Sequence, residues 1–63
     1  MTPAAFRRAL ARLSWSQRTL AARLARPHNT IHRWSIGAQP IPDDVAEWLT
    51  DLVKRVAEVE PPR

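Results

Sequence analysis

Ser16-Gln17-Arg18-Thr19-Leu20-Ala21-Ala22-Arg23-Leu24-Ala25-Arg26-Pro27-His28-Asn29-Thr30-Ile31-His32-Arg33-Trp34-Ser35-Ile36-Gly37 decides how this chain folds. Leu20, Ala21 and Leu24 recur at steps of one, three and four, which puts them on one face of a helix. Ser16 ahead of them is a good N-cap, and Trp15 before it can staple onto Leu20. Pro27 has no N–H to donate and disfavours helical geometry at Arg26, so this helix stops near Ala25. A new one starts at about His28, with Ile31 and Trp34 as its inner face. Gly37, the only glycine, sits where a left-handed C-cap belongs. The stretch therefore predicts two short helices, about 16–25 and 28–36, joined by a tight turn.

Working outward, Thr2 and Pro3 read as the N-cap and first residue of another helix. Phe6, Ala9, Leu10 and Leu13 form its stripe, leaving Arg7, Arg8 and Arg12 on other faces. After Gly37, Ala38–Pro42 is a proline-punctuated loop. Asp43 and Asp44 then suit the first turn of a last helix, about 43–59, because carboxylates complement the helix dipole there. Val45, Trp48, Leu49, Leu52, Val53, Val56 and Val59 make its apolar stripe, with room for one break. Residues 61–63 are expected to fray. Trp15, Trp34 and Trp48 each fall on an apolar stripe and are expected as packing anchors. No segment alternates with period two long enough for a strand. The expectation is an all-α, compact four- to five-helix domain over residues 1–60.

At 63 residues there is room for one domain, which buries roughly 60% of its unfolded surface. Absence of cysteine excludes disulfides and thiolate metal sites. No apolar run exceeds three residues, so no membrane-spanning helix is expected, and a cytoplasmic, nucleoid-associated place suits the chain. A multi-element catalytic cleft would be hard to build at this size, so an enzyme is not expected. The charge is divided unevenly. Up to Pro42 there are seven arginines and no acid, and from Asp43 onward six acids face three bases, leaving the net +4. Basic groups without nearby acids leave a field that attracts phosphate.

The face of the 28–36 helix opposite Ile31 and Trp34 displays His28, Asn29, His32 and Arg33, a polar strip with no acid. Two helices joined this way can form a helix-turn-helix, whose first helix braces across the DNA backbone and whose second lies in the major groove. The segment from Leu13 to Leu24 resembles the brace helix of lambda-repressor-like helix-turn-helix proteins, the group of phage repressors, Cro proteins and Xre-type regulators. Thr30-Ile31-His32-Arg33-Trp34-Ser35-Ile36-Gly37, followed by Pro40 and Pro42, is similar to that family's Thr-(Ile/Val)-x-x-Trp-x-x-Gly stretch and proline-bearing loop. The resemblance covers residues 4–53. The chain departs from it at Ala25, where the family usually has Gly, and at Arg26, where the family usually has an apolar residue. A non-glycine residue in a left-handed turn costs about 1 kcal/mol.

The resemblance implies a sequence-specific regulator of transcription binding double-stranded DNA, a small repressor that occludes a promoter. It implies base reading by Gln17, His28, Asn29, Thr30, His32 and Arg33, and phosphate contacts by Arg18, Ser35 and Gln39. The length of the last apolar stripe adds an expected homodimer contact through Leu52, Val53, Val56 and Val59, which would favour a palindromic operator. Each role has a plainer counterpart: Gln17 as a solvated first-turn residue, Arg18 as an ordinary exposed one, Asn29 as a local cap. His28 and His32 are spaced for a metal, but no third ligand is near and the arginines would repel a cation. No catalytic triad or glycine-rich phosphate loop can be assembled. No cofactor, metal or small-molecule ligand is expected. Membrane-surface binding by Arg7, Arg8 and Arg12 would take the apolar face that so small a core needs. The serious rival is a protein-interaction module on the same fold, an antirepressor or inhibitor, since fold alone does not settle function.

Overall fold

A computed structural model describes the backbone of residues 1–59 and the side chains of residues 1–56. Four helices follow one another: α1 (Pro3–Leu13), α2 (Gln17–Leu24), α3 (His28–Ile36) and α4 (Asp43–Val59). Among the described residues there is no strand, and α4 runs without a break, which selects four helices from the four to five expected. Residues 61–63 and the side chain of Val59 lie outside the described residues.

Local chemistry accounts for the boundaries. The Thr2 hydroxyl accepts from the Ala5 N–H at 3.1 Å, and its carbonyl accepts from Phe6 at 2.9 Å. Ser16 does the same for α2, its Oγ accepting from the Thr19 N–H at 3.1 Å while its carbonyl takes the Leu20 N–H. These side chains satisfy donors that the first turn of a helix leaves without partners. The ends of α1, α2 and α3 share one device. Ser14, Ala25 and Gly37 all stand in the left-handed region, at φ of 58°, 52° and 80°. The residue after each donates back five positions: Trp15 to Leu10, Arg26 to Ala21 and Ala38 to Arg33, at 2.9–3.0 Å. This is the Schellman arrangement, which closes off carbonyls at a helix C-terminus. Only the third uses glycine. A Cβ on Gly37 would also lie 3.2 Å from Pro3 Cγ, so α3 ends close against the start of α1.

α1 packs on both α3 and α4, and α2 packs on α3. The core is Phe6 and Leu10 from α1, Leu20 and Ala21 from α2, Ile31 and Trp34 from α3, and Val45 and Leu49 from α4. Phe6 meets Trp34 edge to face, with ring centroids 6.1 Å apart and planes at 89°. Leu13, Trp15, Leu24 and Ile41 seal the margins of this cluster. One anchor departs from expectation. Trp48 is 37% exposed and leans on Trp15 across 5.9 Å at the rim, because Val45 and Leu49 already occupy the inward face of α4. Leu52 and Val56 follow Leu49 at three and seven residues, the spacing of a shared face, and both are half-covered by the chain itself. No helix among the described residues is long and apolar enough to cross a membrane.

Candidate nucleic-acid interface

The pairing of α2 with α3 sets the surface at issue. Ala25 turns the chain out of α2 through its left-handed backbone, and Pro27, at φ −60° and ψ 143°, leads directly into α3. Pro27 occupies the N-cap position and offers no side-chain acceptor. Asn29 is the second residue of the helix and so is not its cap, which removes that plainer reading of it. Ile31, Trp34 and Ser35 face inward and are buried. His28, Asn29, His32 and Arg33 are all exposed on the other side, and Thr30 at the flank is half-buried. The four exposed residues span about 7.5 Å of helix axis at 1.5 Å per residue.

From α2, Gln17 is half-buried in the first turn and Arg18 is exposed beside it. The Thr19 and Leu20 N–H groups are taken by Ser16, so the outward donors of this turn belong to Gln17 and Arg18. Gln39 is exposed in the loop after α3. Thus Gln17, Arg18, His28, Asn29, Thr30, His32, Arg33 and Gln39 all keep some exposure.

Ser35 does not, and its assignment to phosphate is corrected. The residue is 2% exposed, and its hydroxyl donates to the His32 carbonyl at 2.6 Å. Its own carbonyl accepts from the Arg7 guanidinium. The signal was in the sequence: Ser35 follows Ile31 by four residues and shares its inward face.

Two residues that sequence reasoning passed over stand at the ends of the strip. Ile36 is 60% exposed, a large apolar group following Arg33 by three and His32 by four. Arg26 precedes α3, and its guanidinium carbon lies 5.5 Å from the centroid of the buried Trp34 ring. Cation–π contact of this kind holds an arginine in place while leaving its charge at the surface. Arg23 makes the equivalent contact on Trp15 at 4.6 Å, toward α4. Five of the seven arginines before Pro42 are thereby sorted by position. Arg7 serves the end of α3, Arg23 covers Trp15, Arg26 covers Trp34, Arg33 is exposed within the strip and Arg18 is exposed beside it. Among the described residues, no buried side-chain polar atom lacks a hydrogen-bond partner.

Chemically, the exposed strip offers an amide that can both donate and accept, a guanidinium with paired donors, and two imidazoles. These groups match the acceptors on guanine, the N6/N7 edge of adenine and phosphate oxygen, with no carboxylate to repel the last. Comparison of the chain with protein-family models, with curated proteins and with solved structures yields no significant match.

Proposed function

We propose that the chain is a lambda-repressor-like helix-turn-helix domain that binds double-stranded DNA in a sequence-specific way and represses transcription by occluding a promoter. One observation carries this reading. The outward face of α3 presents His28, Asn29, His32 and Arg33 together, exposed and free of acids, directly after a tight turn from α2. In this reading α2 braces on the backbone through Gln17 and Arg18, and α3 enters the major groove. Asn29 reads adenine, Arg33 reads guanine, His28 and His32 donate to guanine N7 or phosphate, and Thr30 touches a thymine methyl. Gln39 contacts the backbone beyond the end of α3, and Arg26 adds a phosphate contact at its start. Two copies would set two such helices about 34 Å apart on a palindromic site.

Duplex binding measured against salt tests the reading. Neutralising several phosphates requires log K to fall steeply with log[salt], and a flat response would end it. Selection of bound sequences from random duplexes then tests whether a half-site exists. Ile36 favours the rival, a protein-interaction module, because an open isoleucine on that strip suits an apolar partner surface as well as a groove. The same salt series separates the two, since apolar docking is far less sensitive to salt.

A further inference from the structure

Away from the α3 strip, α1 and α4 leave an open groove between them, in two adjoining hollows of about 520 and 280 Å³ that share Met1, Ala5 and Thr50. Its floor is small and apolar: Ala5 and Ala9 from α1, Val53 from α4. Thr50 lines both hollows, and its hydroxyl proton is used within α4, donated to the Ala46 carbonyl at 2.8 Å. Small side chains let a second backbone approach closely.

The groove is electrically two-ended. Glu47 and Asp51 line one hollow, while Arg8, Arg12 and Lys54 line the other. On α4 itself, Glu47 and Lys54 are seven residues apart and share a face, with Thr50 and Asp51 between them. A two-fold axis lying in the plane of such a surface and at right angles to α4 reverses its polarity, so the acidic end of one copy meets the basic end of the other. An interface of this symmetry must be complementary to itself. A uniformly charged groove would fail that condition, whereas this one meets it.

From this we infer that the α1–α4 groove is the contact between two copies of this chain, paired antiparallel about an axis near Thr50, with Glu47 of each copy against Lys54 of the other. Arg8 and Arg12 face the partner's acidic end. The inference deepens the two-copy part of the function proposed above and moves the expected contact. Of Leu52, Val53 and Val56, only Val53 lines the groove; the other two follow the inward face of α4. The strip on α3 takes no part in the groove, so both strips stay open in the pair.

Sedimentation velocity without DNA, over a series of protein concentrations, tests it. The wild-type chain should dimerise, and high salt should weaken the dimer. Glu47→Lys and Lys54→Glu should each be monomeric, since either change sets like charges against each other twice. An equimolar mixture of these two variants should dimerise, because both contacts become complementary again, and so should the double variant. Both positions are exposed, and circular dichroism checks that the variants stay helical. A wild-type monomer at every concentration would overturn the inference, as would single variants that dimerise like the wild type or a mixture that stays monomeric. None of these readouts involves nucleic acid. Loss of the DNA reading would show as a flat salt response in a chain that still dimerises.

Discussion

The guanidinium of Arg7, in the middle of α1, donates through Nη1 to the main-chain carbonyl of Ser35, in the last turn of α3. The carbonyls of that turn carry the negative end of the helix dipole and have no partner within the helix. Arg33 and Trp34 have theirs taken by Ala38 and Gly37, so Arg7 supplies the one beyond. A positive charge on α1 thus fixes the end of the helix whose other face bears the strip.

Arg7→Met should therefore act on folding and not on recognition. Loss of a charged donor from a part-buried carbonyl costs about 1–2 kcal/mol, which denaturant titration would read directly. The salt dependence of duplex binding, measured where the variant is folded, should keep its slope. A slope shallower by a full phosphate would mean that Arg7 contacts DNA after all.

Two of the three left-handed caps predict opposite responses to opposite substitutions. Ala25→Gly removes a Cβ from a backbone at φ 52° and should stabilise the fold by about 0.5–1 kcal/mol, the relief being partly offset by unfolded-state entropy. Gly37→Ala places a Cβ at φ 80° and 3.2 Å from Pro3 Cγ, and should cost about 1–2 kcal/mol. Thermal midpoints shifting in the same direction for both would contradict this account of the turns.

At the strip, Asn29→Ala and Arg33→Ala should each cost about 1–3 kcal/mol on the preferred duplex and relax selection at one base pair. Arg18→Ala should weaken binding to all sequences alike, as a phosphate contact would. If Asn29→Ala and Arg33→Ala both left binding to a selected site intact, these assignments would fall even with the fold correct.

Arg26→Met separates the two things that side chain does. Methionine still covers the Trp34 ring, so stability should hold within about 0.5 kcal/mol. The charge is lost, and the slope of log K against log[salt] should become shallower by about 0.9, the share of one phosphate. An unchanged slope would confine Arg26 to packing.

Much of this was legible in the sequence because much of it is local. Thr2 and Ser16 announce helix starts through a side-chain acceptor three residues ahead of its donor. Pro27 ends one helix through its missing N–H, and Gly37 ends another by tolerating a positive φ. The apolar spacing of Phe6, Ala9 and Leu10, and of Ile31 and Trp34, named the inward faces correctly. By elimination it also named His28, Asn29, His32 and Arg33 as outward. The burial of Ser35 was legible too, in its spacing from Ile31, though a serine's polarity argues for the surface.

The rest depends on which helix lies against which, and periodicity is silent on that. Trp48 belongs to the apolar stripe of α4 as much as Leu49 does, yet it stands at the rim, because only its neighbour's face meets the core. Arg7 and Arg8 are adjacent and alike in sequence, yet one closes the end of α3 and the other lines the groove with α4. Backbone hydrogen bonds within four residues are determined by the order of side chains along the chain. Contacts such as Arg7 with Ser35, 28 residues apart, are determined by where buried surface forces the helices to cross. The sequence by itself specified an all-helical chain, the caps at Thr2, Ser16 and Gly37, and most of the inward faces. Tertiary packing alone decided which arginines are held by the fold and which stand open on or beside the strip.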